Sequence, residues 1–161
     1  NNYGISKSIT YDKIKFFCEK FRIKYKSIYI TNPWGPLEEK KLNYYLINNW
    51  IQNKSVFISH PKYVRDNIFI DKLSNIYSKL IDSRSKKIDY FPSGYCSSNK
   101  VFIEAFRKKF EKFFNKKVEV IYAKKADYNQ PLIRINSKKI KKKIIIKENL
   151  DNYFYQYRDI I

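Results

Sequence analysis

The sequence predicts an α+β fold of the ferredoxin-like βαββαβ type, a sandwich with insertions and a basic C-terminal extension. Three observations predict it. Strand-like and helix-like periodicities alternate along the chain in that order. Hydrophobic residues make up 43% of the chain and aromatics 18%, enough for a packed core. No internal repeat or Gly/Ser-rich linker interrupts the 161 residues, so an α+β domain over 1–126 with an extension over 127–161 is the simplest division.

The first strand of that pattern falls on Asn2 to Ile9. Thr10 then caps a helix whose apolar face is Ile14, Phe17, Cys18 and Phe21. Ser27 to Thr31 alternates and carries β propensity, and reads as a strand that the run Asn32-Pro33-Trp34-Gly35-Pro36 ends. Leu42, Tyr45, Leu46 and Trp50 predict a helix over about 37–51. Ser55 to Ser59 is a short strand, interrupted by His60-Pro61.

The stretch from Lys62 to Ser83 has a helical period through Phe69, Leu73, Ile76, Tyr77 and Leu80, although Ile76, Ser78 and Leu80 also suit one face of a strand. Pro92, Gly94 and several serines make 84–99 a loop. The clearest helix lies over about 100–114, with Phe102, Ala105, Phe106, Phe110 and Phe113 on one face, Ser98 or Asn99 to cap it and Asn115 to stop it. Val118 to Tyr122 and Leu132 to Asn136 read as strands. Lys138 to Lys147 is a basic run, and the acidic, aromatic tip from Asp151 to Tyr157 suits either docking to another protein or packing back on the domain.

Charge bounds the function. The chain carries 34 Lys and Arg against 15 Asp and Glu, a net +19, which favours a polyanionic neighbour. No apolar run is long enough to span a bilayer, and no secretory leader is visible. Lys, Ile, Asn, Tyr and Phe dominate while Gly, Ala, Pro and Arg are scarce, the codon signature of an AT-rich genome such as an organelle's, and a mitochondrial location is expected. That bias also inflates lysine without selection for charge. The chain has no Met, so its true start is expected to lie upstream.

Catalytic motifs are sparse. The single histidine, His60, sits beside Pro61 and reads as a turn or backbone-contacting residue, with no partner motif for a catalytic base. Cys18 and Cys96 are far apart in sequence and form no zinc spacing. With three glycines and no G-x-x-x-x-G-K-[ST] or G-x-G-x-x-G, no phosphate-cradling loop of those types exists. No catalytic residue, metal site or cofactor is expected, and the sequence reads as that of a non-enzyme. The sharpest local signal is Lys138, Lys139, Lys141, Lys142 and Lys143, suited to phosphate contacts, and Tyr63, Tyr90, Phe91 and Tyr95 are candidates for stacking on bases.

Several stretches resemble the small-subunit ribosomal protein family ten. Lys7-Ser8 is similar to its first strand–helix junction, Gly35-Pro36-Leu37 to its Gly-Pro turn, and Leu80-Ile81-Asp82 to the end of its third strand. Val56 to Lys62, followed by Arg65 and Phe69, resembles its Ser-Pro-His loop with His and Pro transposed. The helix before Val118-Glu119-Val120 and that strand resemble its closing elements. The resemblance implies a structural constituent of an organellar ribosome. It would bind ribosomal RNA through Lys62 and Arg65 and pack against other ribosomal proteins, with no small-molecule substrate and no transmembrane segment. The alternatives are an accessory subunit of another organellar (membrane respiratory) complex or a nucleic-acid-processing enzyme.

Overall fold

The fold was obtained as a computed structural model, which describes residues 2–38, 41–125 and 130–158. The chain groups into two compact units, one of residues 1–28 with 84–90, the other of residues 29–83 with 91–161.

In the first unit, α1 runs Asn2–Lys20. The expected strand at 2–9 is therefore the start of this helix. β1 (Ser27–Ile28) pairs in parallel with β5 (Asp89–Tyr90), and Ser27 N donates to Ile88 O at 2.9 Å. Tyr11 Oη donates to Asp89 Oδ1 at 3.2 Å and ties α1 to that pair. Apolar side chains lie all around α1, and Tyr3, Ile5, Phe16 and Phe21 are exposed.

The second unit is built on β4 (Val64–Phe69). β2 (Asn32–Trp34) runs parallel to its C-terminal half, in register Asn32 to Asn67, and β8 (Ile133–Arg134) runs parallel to Val64 and Arg65. β6 (Tyr95–Ser98) covers the other edge antiparallel. β3 (Val56–Ile58) and β7 (Val120–Tyr122) form a separate parallel pair. The remaining helices are α2 (Leu42–Ile51), α3 (Ile70–Ile81), α4 (Asn99–Phe114) and α5 (Asp151–Tyr155).

The ferredoxin-like sandwich is thus overturned. That fold is a single antiparallel sheet, whereas the pairings here are parallel except for β4 with β6. Two local misreadings have separate causes. Pro33 was expected to end a strand, yet it lies inside β2, which pairs only with β4 among the described residues and so leaves a free edge for a residue without an N–H. The first part of 62–83 is strand, not helix, because all six residues of β4 are buried and no alternation marks them. The predicted loop at 84–99 contains β5 and β6.

α4 follows its sequence signals. Ser98 caps it, accepting from Val101 N at 3.3 Å, and Asn115 ends it in the left-handed region at φ 47°. Its buried face, Phe102, Ile103, Phe106 and Phe110, packs against Trp50 of α2, with the Trp50 and Phe110 rings 5.0 Å apart. The acidic tip packs back on this core. Tyr153, Phe154 and Tyr157 are buried in it, as are Ile144, Ile146 and Leu150 of the preceding segment. No helix among the described residues is long and apolar enough to cross a membrane.

Candidate ligand pocket

A cavity of about 390 Å³ opens in the second unit between β2, the end of β4 and the start of α2. Parallel pairing places Asn32 beside Asn67, and Asn32 Nδ2 donates to Asn67 Oδ1 at 3.4 Å. Thr31, Pro33 and Trp34 continue the β2 wall, and Glu38, Lys41, Leu42 and Asn43 close the opposite side. The volume lies in the range of small-molecule sites.

Three buried polar atoms of this wall lack a protein partner: Trp34 Nε1, Asn43 Oδ1 and Asn67 Nδ2. Their residues are 4%, 2% and 5% exposed. An unsatisfied buried donor or acceptor costs about 1–3 kcal/mol, so the packing of three lining residues stores unmet hydrogen-bonding capacity beside the cavity. The lining combines the amides of Asn32, Asn43 and Asn67 with the apolar Leu42 and Trp34. Arg134 of β8 donates from Nη2 to Asn32 Oδ1 at 3.3 Å, which brings a guanidinium to the Asn32 side of the wall.

Glu38 is anchored from behind. Its Oε1 accepts from Tyr44 N and from Tyr153 Oη, both at 2.9 Å. Burial raises the pKa of this carboxyl, against the opposing pull of those hydrogen bonds and of the Lys41 ammonium. The next residue after β2, Gly35, has φ +152°, and a Cβ there would lie 2.6 Å from Ile70 Cγ2. Only glycine fits where the chain leaves the strand for the cavity rim.

Behind the cavity, Asp66 is fully buried and joins three segments. Its Oδ1 accepts from Gly94 N at 2.7 Å, and its Oδ2 from Asn136 N at 3.3 Å and Ser137 N at 3.2 Å. Its main-chain oxygen accepts from Thr31 Oγ1 at 2.6 Å.

The residues singled out for phosphate contact are differently placed. Arg65 is 5% exposed and its Nη1 donates to the oxygens of Val64, Pro131 and Leu132 at 2.8, 3.2 and 3.1 Å. Its guanidinium also stacks on Tyr63, 4.3 Å from the ring centroid, and burial lowers its pKa. Lys62, Lys138, Lys139, Lys141, Lys142 and Lys143 are exposed, and none lines the cavity. His60 stacks on Tyr63 at 4.6 Å and accepts through its main-chain oxygen from Asn99 Nδ2, the backbone role expected of it. Cys18 and Cys96 are free thiols, and no group of three or more His, Cys, Asp or Glu able to hold a metal occurs among the described residues.

Sequence reasoning missed Asn32, Trp34, Asn43 and Asn67. One signal was available: Asn43 interrupts an otherwise apolar helical face. It also missed a pair in the first unit. Tyr3 and Lys7 stand one turn apart on α1, with Lys7 Nζ 5.5 Å from the Tyr3 ring centroid. The reading of 2–9 as a strand hid that spacing.

The sequence matches no protein-family profile and no curated protein. Its fold matches solved structures. Against UDP-glucose 4-epimerase from Thermotoga maritima, solved with UDP-glucose, the TM-score is 0.63 at 20% identity, covering 83% of this chain and 43% of that one. Against UDP-glucuronic acid 4-epimerase from Bacillus cereus, in complex with UDP-glucuronic acid and NAD, the TM-score is 0.62 at 18% identity, covering 81% and 42%. Against L-threonine 3-dehydrogenase from Trypanosoma brucei it is 0.65 at 12% identity, covering 99% and 53%. The chain spans about half the length of the structures it matches.

These likenesses show a Rossmann-like fold over most of this chain, matched to part of each of those structures. They overturn the resemblance to a ribosomal protein and, with it, the structural role in a ribosome, the ribosomal RNA and protein partners and the non-enzymatic reading: the matched structures are of two UDP-sugar 4-epimerases and L-threonine 3-dehydrogenase. The alternative of a nucleic-acid-processing enzyme finds no support either. The net charge misled because it describes the exposed surface and says nothing of the interior where the cavity lies.

Proposed function

We propose that this chain forms the substrate-binding part of an enzyme acting on a sugar nucleotide, in the manner of an epimerase or a related dehydrogenase. The observation that carries the reading is a cavity of small-molecule size in this fold, lined by the polar residues Thr31, Asn32, Asn43 and Asn67 and by Glu38. Hydroxyl and carbonyl groups of a sugar or base suit a wall of amides and hydroxyls, because each can donate or accept. The Arg134 guanidinium suits a phosphate, which it can engage through two parallel N–H groups.

Two of the matched structures hold UDP-sugars and one of these also holds NAD. Gly4, Gly35 and Gly94 are the three glycines of this chain, and none belongs to a glycine-rich turn between a strand and a helix that would let backbone approach a pyrophosphate. No step is therefore assigned through that cofactor. Tyr3 and Lys7 are the candidate proton-transfer pair of the first unit. A phenol can exchange a proton with a substrate hydroxyl, and a nearby ammonium steadies the negative charge left on oxygen.

Titration of the protein with UDP-glucose, followed by tryptophan fluorescence, tests the reading. Trp34 lines the cavity, so binding changes its emission, and Trp34→Phe abolishes the response while Trp50 remains. Asn67→Ala is expected to weaken binding about tenfold, the equivalent of one hydrogen bond of about 1.4 kcal/mol. Absence of binding at millimolar UDP-glucose, or full affinity in Asn67→Ala, refutes it.

A further inference from the structure

We propose that Glu38 sets the specificity of this cavity, selecting a ligand whose sugar presents hydroxyl groups to it and rejecting one that presents a carboxylate. The inference rests on reading the cavity as a sugar-nucleotide pocket, and it adds the choice among sugars. Among the described residues, Glu38 is the one carboxylate that lines the cavity. The other polar members of the wall, the asparagines and Thr31, are neutral and do not distinguish a hydroxyl from a carboxylate by charge.

The carboxylate is held in place. Tyr44 N and Tyr153 Oη both donate to Oε1. Tyr153 is 1% exposed and packed against Trp34 and Phe106, with ring centroids 6.1 and 6.2 Å away. If Glu38 swung out to make room for an anion, the Tyr153 hydroxyl would lose its carboxylate acceptor and keep only the Tyr157 hydroxyl beside it, which opposes the movement. A fixed acceptor of this kind takes hydrogen bonds from ligand hydroxyls, and it repels a second carboxylate brought into the same space. Among the described residues, Lys41 is the only cation lining the cavity. It is exposed, so solvent screens its attraction for an incoming anion more than the half-buried Glu38 is screened.

The alternative is that Glu38 only braces the rim against α5. Glu38→Gln separates the two, since the amide oxygen can still accept from Tyr44 N and Tyr153 Oη while the charge is gone. UDP-glucose and UDP-glucuronic acid are titrated into the wild-type protein and the variant at neutral pH. The wild type is expected to bind UDP-glucose at least tenfold more tightly. Glu38→Gln is expected to reduce that ratio at least threefold, mainly by tighter binding of UDP-glucuronic acid. An unchanged ratio in a variant that binds both ligands makes Glu38 a brace and leaves the pocket reading standing. A wild type that binds UDP-glucuronic acid as well as UDP-glucose overturns the inference without any variant. Failure of both ligands to bind the wild type removes the pocket reading and this one together.

Discussion

Replacing Asp66 by Asn tests the polar hub behind the cavity. The carboxylate receives three main-chain N–H groups, Gly94 at Oδ1 and Asn136 and Ser137 at Oδ2. An amide has one oxygen, so its NH2 group must face at least one of those donors. The cheaper orientation keeps Asn136 and Ser137 and strands Gly94 N, whose bond is the shortest of the three at 2.7 Å. A stranded buried donor costs about 1–3 kcal/mol, and the two retained bonds weaken by roughly 0.5 kcal/mol each when the acceptor loses its charge. Relief of a desolvated charge acts in the opposite direction. The net expectation is a loss of about 2–3 kcal/mol, against a typical total of about 5–15 kcal/mol. Urea unfolding followed by the emission of Trp34 and Trp50, which are 4% and 0% exposed, measures it. Amide exchange at Gly94 should accelerate more than at Ser137. A variant within about 0.5 kcal/mol of wild type, or a more stable one, refutes the reasoning.

Two further outcomes are expected. A Cβ at Gly94 would stand 2.2 Å from Asn67 O and 2.7 Å from Ile68 Cα, both main-chain atoms of β4, so Gly94→Ala should cost about 3 kcal/mol or more in thermal unfolding and also weaken UDP-glucose binding through Asn67. The Tyr95 hydroxyl donates to Glu148 and accepts from Lys147 N at 2.9 Å, and burial, with Glu148, pushes its pKa up to about 12 from 10.0. The unfolded chain then gives up this proton first, so stability is complete below pH 10.0 and falls as pH rises towards 12. Tyr95→Phe should flatten that fall in alkaline unfolding curves, and an equally steep fall would show that Tyr95 is not its source.

The sequence alone determined the elements whose stability is local. The Phe102-Phe106-Phe110 face, the Ser98 cap and the Asn115 stop define α4 without reference to distant residues. Ser55–Ser59 and Val118–Tyr122 were legible as strands because their propensities are strong and short-ranged, and they contain β3 and β7. The aromatic density of 151–157 announced a docking surface, although its destination was open between another protein and this chain's own core.

Tertiary structure decided what depends on partners far apart in sequence. Parallel pairing of β2 with β4 and of β3 with β7 needs strands separated by long connections, and nothing within a strand reports its partner or direction. Val64-Arg65-Asp66-Asn67 looks like surface sequence. It is buried because main-chain oxygens at 64, 131 and 132 meet Arg65, and main-chain N–H groups at 94, 136 and 137 meet Asp66. The cavity has the same origin: Asn32, Asn43 and Asn67 converge only once two strands and a helix have assembled. Hydrogen-bond satisfaction is a property of the assembled neighbourhood, so neither the buried charge nor the unpartnered amide could be read from the chain in isolation.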